Sequence, residues 1–151
     1  MNLITLGFIS DNNDFDREIV YSEIKNILFR VKFDKLNDLL EVISTGSGNS
    51  DSSKLSYMDY IVEFCIFSKN KFCENTELTT IPIEWSNFDV KPLYKAINSI
   101  GLEYNKLAPL IQKKEIIKKS DFIFVAMQNP KWKSDTLKMI DEFSKETIDL
   151  I

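Results

Sequence analysis

Apolar and polar residues follow two different spacings along this chain, and their alternation predicts strands separated by helices. Leu3 to Ile9 is an almost continuous apolar run, which is typical of a strand buried on both faces. Turn-forming and acidic residues at 10–14 follow and mark the start of a helix. Apolar residues at helical spacing then predict that this helix runs to about Arg30. They are Ile19, Ile24, Ile27 and Leu28.

The same alternation continues to the end of the chain. Further strands are predicted at about residues 40–44, 78–83, 121–127 and 148–151. Helices are predicted from about residue 52, over a stretch that ends at residue 119, and at 134–145, with a long connection at 84–105. Strands and helices that alternate at this spacing predict one α/β domain over residues 1–151, with a mainly parallel sheet of about five strands flanked by helices. Ligands of such sheets bind at the carboxyl ends of the strands.

The segment after the second predicted strand contains only small and turn-forming residues. It is Ser44-Thr45-Gly46-Ser47-Gly48-Asn49-Ser50-Asp51. A Cβ-poor turn that joins a strand to a helix lets main-chain N–H groups converge on an anion, with the helix dipole behind them. The hydroxyl groups could add donors, and Asp51 could cap the helix or hold a ribose hydroxyl. The segment therefore predicts a phosphate-binding turn, although an ordinary strand-to-helix connection has the same composition.

Composition and charge narrow the classes of function. The hydrophobic content of 44% and the aromatic content of 12% are typical of a globular protein. A formal net charge of -4 argues against nucleic acid as a partner, since that binding needs clustered Lys and Arg. The chain has no histidine, which excludes His-based triads and most zinc sites, so we expect no metal. Its cysteines, Cys65 and Cys73, are expected to be free thiols.

No membrane-length apolar run is present, so we expect a cytoplasmic protein without a membrane partner. No cofactor is indicated either. The expected partner is a small molecule of the nucleotide type, because the predicted phosphate turn is the strongest chemical signal in the chain.

The order of the motifs resembles the SLOG superfamily, a group of Rossmann-like proteins that includes DNA-processing protein A and the cytokinin-activating phosphoribohydrolases. The chain looks most like small stand-alone bacterial and phage members with a Ser-Gly-Gly-Ala-x-Gly-Ala-Asp signature, which Ser44 to Asp51 match here. Four further elements match in order. Gly7-Phe8-Ile9 corresponds to a Gly-Ser-Arg turn, Trp85 to a Trp after strand three, Gly101 to Asn105 to Gly-x-x-Arg-Asn, and Lys133 to Thr136 to Ser-x-Gly-Thr.

The departures from the family pattern concern its arginines and its catalytic motif. Ile9 and Tyr104 stand where the family has Arg, and Asn49 replaces the middle glycine of the signature. The phosphoribohydrolases carry Pro-Gly-Gly-x-Gly-Thr-x-x-Glu with a catalytic Arg and Glu, and this chain lacks that motif. The resemblance thus implies a nucleotide-binding domain more readily than a hydrolase. It also implies a homo-oligomer.

Each residue outside the turn has a structural interpretation beside the functional one. Trp85 either stacks on a base or covers the sheet edge, and Asn105 either contacts the ligand or caps a helix. Tyr104 stacks, donates its hydroxyl or is half-buried, while Thr136 caps a helix or contacts phosphate. Gln128 and Asn129 follow strand four, where Asn129 and Pro130 indicate a turn.

Three hypotheses follow. The first is a protein that binds a nucleotide or a nucleotide-derived signal, which in a phage would sequester a defence signal and in a cell would sense one. The second is a hydrolase of an N-glycosidic bond, with Glu84 or Glu103 as weak candidates for the acid or base and Asp51 as a further one. The third is an interaction module with a vestigial pocket.

Overall fold

The predicted alternation of strands and helices forms a five-strand parallel sheet in the computed structural model, which describes residues 2–10, 16–44, 68–81 and 83–150. The strands are β1 (Leu3–Ser10), β2 (Leu39–Ser44), β3 (Thr76–Thr80), β4 (Lys95–Ile97), β5 (Glu103–Asn105), β6 (Phe122–Ala126) and β7 (Glu146–Asp149). Helices in the described ranges include α1 (Arg17–Arg30), α2 (Ala108–Lys119) and α3 (Pro130–Glu142), with a 3-10 turn at Pro92–Tyr94, and residues 68–71 are helical as well. The α/β class with a Rossmann-like parallel sheet is therefore confirmed.

The main sheet has the order β3-β2-β1-β6-β7, with β1 at its centre. Leu6 of β1 lies opposite Val42 of β2 on one side and opposite Phe122 of β6 on the other. Five consecutive residues of β1, from Thr5 to Ile9, are buried. The apolar run that predicted a doubly covered strand is explained by this central position.

Apolar side chains fill the space on both faces of the sheet. One cluster joins β1, β2 and β6 to α1, and Phe8 stacks on Phe124 within it, with ring centroids 4.8 Å apart. The second cluster includes Ile9 and Ile43 of the sheet together with Ile116 of α2 and side chains of α3. The helices therefore cover opposite faces, as parallel connections of one handedness require.

Local sequence explains where α1 begins and which face it buries. The Asp16 carboxylate accepts a hydrogen bond from the main-chain N–H of Glu18 and caps the helix. The buried residues are Val20, Ile24, Ile27 and Leu28. Ile19 was predicted to lie on this face but is half-exposed, because Val20 occupies the corresponding position one residue later.

The structure corrects several predicted boundaries. β3 begins at Thr76 and ends at Thr80, earlier than the predicted 78–83, and β7 begins two residues before the predicted Ile148. The connection at 84–105 contains the antiparallel hairpin of β4 and β5, which sequence analysis missed. Its strands have three residues each, too few to produce a recognisable alternation.

Asp38 anchors the start of the sheet and provides a test through pH. Its carboxylate accepts hydrogen bonds of 2.8 Å from the main-chain N–H groups of Asp34 and Asn2, and these bonds lower the pKa of Asp38. A lowered pKa means that the stabilisation is present above the ordinary carboxyl pKa of about 3.9 and is lost as the pH falls through the folded-state value.

We expect Asp38→Asn to lower the melting temperature at pH 7, because an amide nitrogen cannot accept the second hydrogen bond. The difference from the wild type should shrink as the pH falls through the lowered folded-state pKa of Asp38, where the wild-type carboxylate becomes protonated too. Thermal unfolding between pH 3 and pH 7 measures this, with the exposed Asp135→Asn as the matched control. A melting difference that does not depend on pH contradicts this account.

Candidate functional site

The strand order defines where a ligand site of this fold is expected. From β1 the chain proceeds to β2 and β3 on one side, and later to β6 and β7 on the other, so the order reverses between β1 and β6. At this switch point the hydroxyl of Ser10, at the end of β1, donates to the carbonyl oxygen of Ala126 at 3.0 Å. Open parallel sheets bind ligands beside such a point, outside the carboxyl ends of the strands.

Ser44 ends β2 at this same edge of the sheet and is fully buried. Its carbonyl oxygen accepts a hydrogen bond of 2.9 Å from the N–H of Ile81, just after β3. The rest of the predicted phosphate turn lies outside the described residues. Its ligand contacts stay a prediction for Thr45, Gly46, Ser47, Gly48, Asn49, Ser50 and Asp51.

A cleft of about 360 Å³ lies beside the end of β3. It is formed by the segment that follows β3 and by one side of α2, and its lining residues are Ile81, Glu84, Asn87, Ala108, Ile111, Gln112, Glu115 and Lys119. Gln112 is buried and donates from Nε2 to the carbonyl oxygen of Ile81 at 2.7 Å. Sequence analysis missed this cleft because Gln112 and Glu115 occur in a run that resembles any amphipathic helix.

The two carboxylates proposed as catalytic groups lie in different surroundings. Glu84 lines the cleft beside α2. Glu103 lies on β5 and contributes instead to a shallow depression of about 470 Å³ with Trp85 and Tyr104. The structure therefore does not bring Glu84 and Glu103 into one cavity, and of these two carboxylates Glu84 lines the cleft.

Trp85 and Tyr104 meet as an aromatic pair. Their rings are arranged edge to face with centroids 6.0 Å apart, and Trp85 keeps about 47% of its surface exposed. An edge-to-face partner fixes the orientation of the indole ring. Trp85 therefore packs against Tyr104 and also keeps the exposed surface that base stacking needs.

Asn105 is completely buried and uses its side chain within the protein. Its Nδ2 donates to the carbonyl oxygen of Asn87 at 2.8 Å, and its Oδ1 accepts from the N–H of Leu107 at 2.9 Å. Its main-chain N–H donates to the carbonyl oxygen of Trp85 at 2.7 Å. These contacts connect the end of β5 to the 85–87 segment and to the start of α2, so Asn105 positions one wall of the cleft.

The motif order implied that Gly7 lies in a turn after β1, and this prediction is wrong. It is a buried residue in the middle of the strand, opposite Ile43 and Ile123. A Cβ built on Gly7 would lie 2.2 Å from Oγ of Ser120 and 3.1 Å from the side chain of Ile116. The glycine is therefore required by the close approach of α2 to the sheet, and no turn exists at this position.

Thr136 does not cap a helix. It is a buried residue within α3, and Nζ of Lys113 approaches its hydroxyl at 3.4 Å. The helix begins four residues before the predicted start at Ser134, because the Asn129 side chain accepts from the N–H groups of Lys131 and Trp132. Asn129 and Pro130 thus start a helix, and do not form the predicted isolated turn.

Among the residues that the structure describes, no three or more His, Cys, Asp and Glu side chains converge in a way that could hold a metal ion. No helix in the same ranges has the length and apolar character needed to cross a bilayer. Cys73 is buried and free, while Cys65 lies outside the described ranges.

No family model, curated protein or solved structure matches the chain.

Gly7→Ala is expected to lower the free energy of unfolding by about 1–3 kcal/mol, because the new methyl group overlaps Ser120. Urea denaturation measures the loss. Ser120→Ala removes the nearest atom, so the double variant should lose less stability than the sum of the two single variants. Additive losses would mean that the two residues do not compete for the same space.

Asn105→Ala should lower the free energy of unfolding by about 1–3 kcal/mol, since it removes the side chain that bonds the N–H of Leu107 and the carbonyl oxygen of Asn87. The exposed Asn70→Ala is the matched control and should change stability little. Unchanged stability of the Asn105 variant in urea denaturation would refute the structural role.

Proposed function

We propose that this chain binds a nucleotide or a nucleotide-derived signalling molecule at the carboxyl edge of its sheet and holds it intact, as a sensor or a sequestering protein. The observation that carries the proposal is a chain of contacts from the end of β2 to the cleft. Ser44 accepts from Ile81, and Ile81 in turn accepts from Gln112 inside the cleft. The cleft thus begins beside Ser44, the first residue of the predicted phosphate turn. We call this turn, Ser44 to Asp51, the Gly-Ser segment.

The Gly-Ser segment is suited to the phosphate end of such a ligand. Gly46 and Gly48 permit close approach of the backbone, and hydroxyl groups are frequent around them. Main-chain N–H groups can hold phosphate without a cationic side chain. This fits a chain with a net charge of -4.

The cleft beside α2 is suited to the base or sugar end. Its apolar wall includes Ile81 and Ile111, and the polar groups along it include the amides of Asn87 and Gln112. A volume of about 360 Å³ lies in the range of small-molecule sites, which combine apolar walls with a few directed polar groups. A nucleotide with its phosphate at the turn and its base in the cleft would need no further contact with the protein.

Hydrolysis of an N-glycosidic bond is the second candidate, and the position of Glu84 is the observation that favours it. Glu84 lines the proposed base site, where a carboxylate could act as general acid or base. The chain lacks the Pro-Gly-Gly motif with its catalytic Glu. Binding without cleavage therefore remains the better supported proposal.

Incubation of the pure protein with a panel of nucleotides, followed by chromatography before and after denaturation, separates these functions. A binding protein should release an intact nucleotide only after denaturation. Free base in the mixture before denaturation would identify a hydrolase. If no nucleotide is retained or cleaved, the proposal is wrong and an interaction module becomes the better account.

Gly46→Asp is expected to weaken nucleotide retention at least about tenfold, because it adds a side chain and a negative charge where phosphate is proposed to bind. Asn26→Asp adds the same charge to an exposed position of α1 and should leave retention unchanged. Isothermal titration calorimetry of both folded variants, with the nucleotide that the wild type retains, measures the two affinities. Equal affinity of the Gly46 variant and the wild type would exclude the turn as the phosphate site.

A further inference from the structure

One side of α2 lines the cleft with a single row of side chains. The row consists of Ala108, Ile111, Gln112, Glu115 and Lys119. Residues three and four positions apart lie on the same side of a helix, so the row follows the helix from its first turn to its last. The polar chemistry therefore changes along the cleft, from a buried amide at Gln112 to a charged pair at Glu115 and Lys119.

The two amide side chains that line the cleft already bond the protein. Nε2 of Gln112 donates to the carbonyl oxygen of Ile81 at 2.7 Å. Oδ1 of Asn87 accepts from the N–H of Asp89 at 3.2 Å. These bonds hold both amides against the wall, so the charged side chains offer the stronger contacts to a ligand.

Glu115 and Lys119 are one helical turn apart, a spacing at which opposite charges often pair with each other. Within the described ranges, the structure records no hydrogen bond or ion pair from the carboxylate of Glu115 or the ammonium group of Lys119. Glu115 is half-buried, which strengthens a hydrogen bond to its carboxylate because less water competes for it. The pair therefore offers the cleft an acceptor and a donor side by side.

We propose that Glu115 and Lys119 select guanine as the base of the bound nucleotide, an inference that rests on the function proposed above. Guanine carries two adjacent donors, N1–H and the N2 amino group, and one carboxylate accepts from both. Its acceptors O6 and N7 follow on the neighbouring edge. The Glu115 carboxylate accepts from the two donors, and the Lys119 ammonium group donates to O6 or N7. Cβ atoms at this spacing are about 5–6 Å apart, so both side chains reach one base.

The other bases offer a poorer match to a carboxylate. Adenine and cytosine place a ring-nitrogen acceptor beside their amino group, and uracil flanks its N–H with two carbonyl oxygens. Each therefore points a lone pair at Glu115 where guanine points a second N–H. A site built around such hydrogen bonds rejects a ligand that cannot make them, because its polar groups then lose their partners.

The charge of the cleft determines which end of the nucleotide enters it. Glu84 lines the wall that follows β3, so two carboxylates and one ammonium group line the cleft. This net negative charge repels phosphate and favours a base that presents hydrogen-bond donors. The phosphate end is thereby directed out of the cleft and toward the Gly-Ser segment.

Isothermal titration calorimetry of the wild-type chain with GMP, IMP and AMP tests the assignment. GMP should bind at least about tenfold more tightly than IMP, which lacks the N2 amino group, and than AMP. If a nucleotide other than GMP binds equally tightly or more tightly, the assignment to guanine is overturned while nucleotide binding stands. If no nucleotide binds, the proposed function is wrong and this assignment fails with it.

Glu115→Gln tests the residue that reads the base. The amide has one acceptor and one donor, so it loses one bond to guanine and can form two with adenine. GMP should bind at least about tenfold more weakly, and the ratio of GMP to AMP affinity should fall. Glu142→Gln is the matched control, since Glu142 is exposed at the end of α3 and does not line the cleft. A ratio that stays the same in the Glu115 variant refutes its role, because a general loss of stability would not change base preference.

Discussion

The structure depends on the pairing of β1 with two strands that come from distant parts of the chain. β1 bonds β2 through Leu3 and Leu39, and it bonds β6 through Leu6 and Phe122. These ladders hold the two halves of the sheet together and create the apolar clusters on both faces. Because β1 has a neighbour on each side and a helix layer on each face, every residue from Thr5 to Ile9 is removed from water.

The same pairing determines where a ligand site can form. It aligns the carboxyl ends of the strands and sets the reversal of strand order between β1 and β6. β2, which ends at the first residue of the predicted phosphate turn, is the neighbour of β1 on the side away from this reversal. The cleft against α2 depends on a second set of contacts, in which Asn105 joins the 85–87 segment to the helix start. The proposed site therefore combines a general property of the fold with a connection particular to this chain.

The spacing of apolar residues was a better guide to the fold than the motif order was to individual residues. Gly7 and Thr136 matched motif positions, yet both are buried within regular elements and serve packing. Small and polar residues are needed where helices approach a sheet closely as well as where ligands bind, and a linear pattern does not separate these uses. Trp85 and Tyr104 are different, since their contact leaves an aromatic surface exposed.

The sequence by itself determined the α/β class, the parallel sheet and most of its strands, because apolar periodicity reports directly on which residues must leave water. It did not predict the hairpin of β4 and β5, the start of α3 at Pro130 or the cleft beside α2. Those features depend on contacts between residues far apart in the chain, such as that of Gln112 with Ile81. Short strands and buried amides carry no periodic signal, so only the tertiary structure decided where they lie.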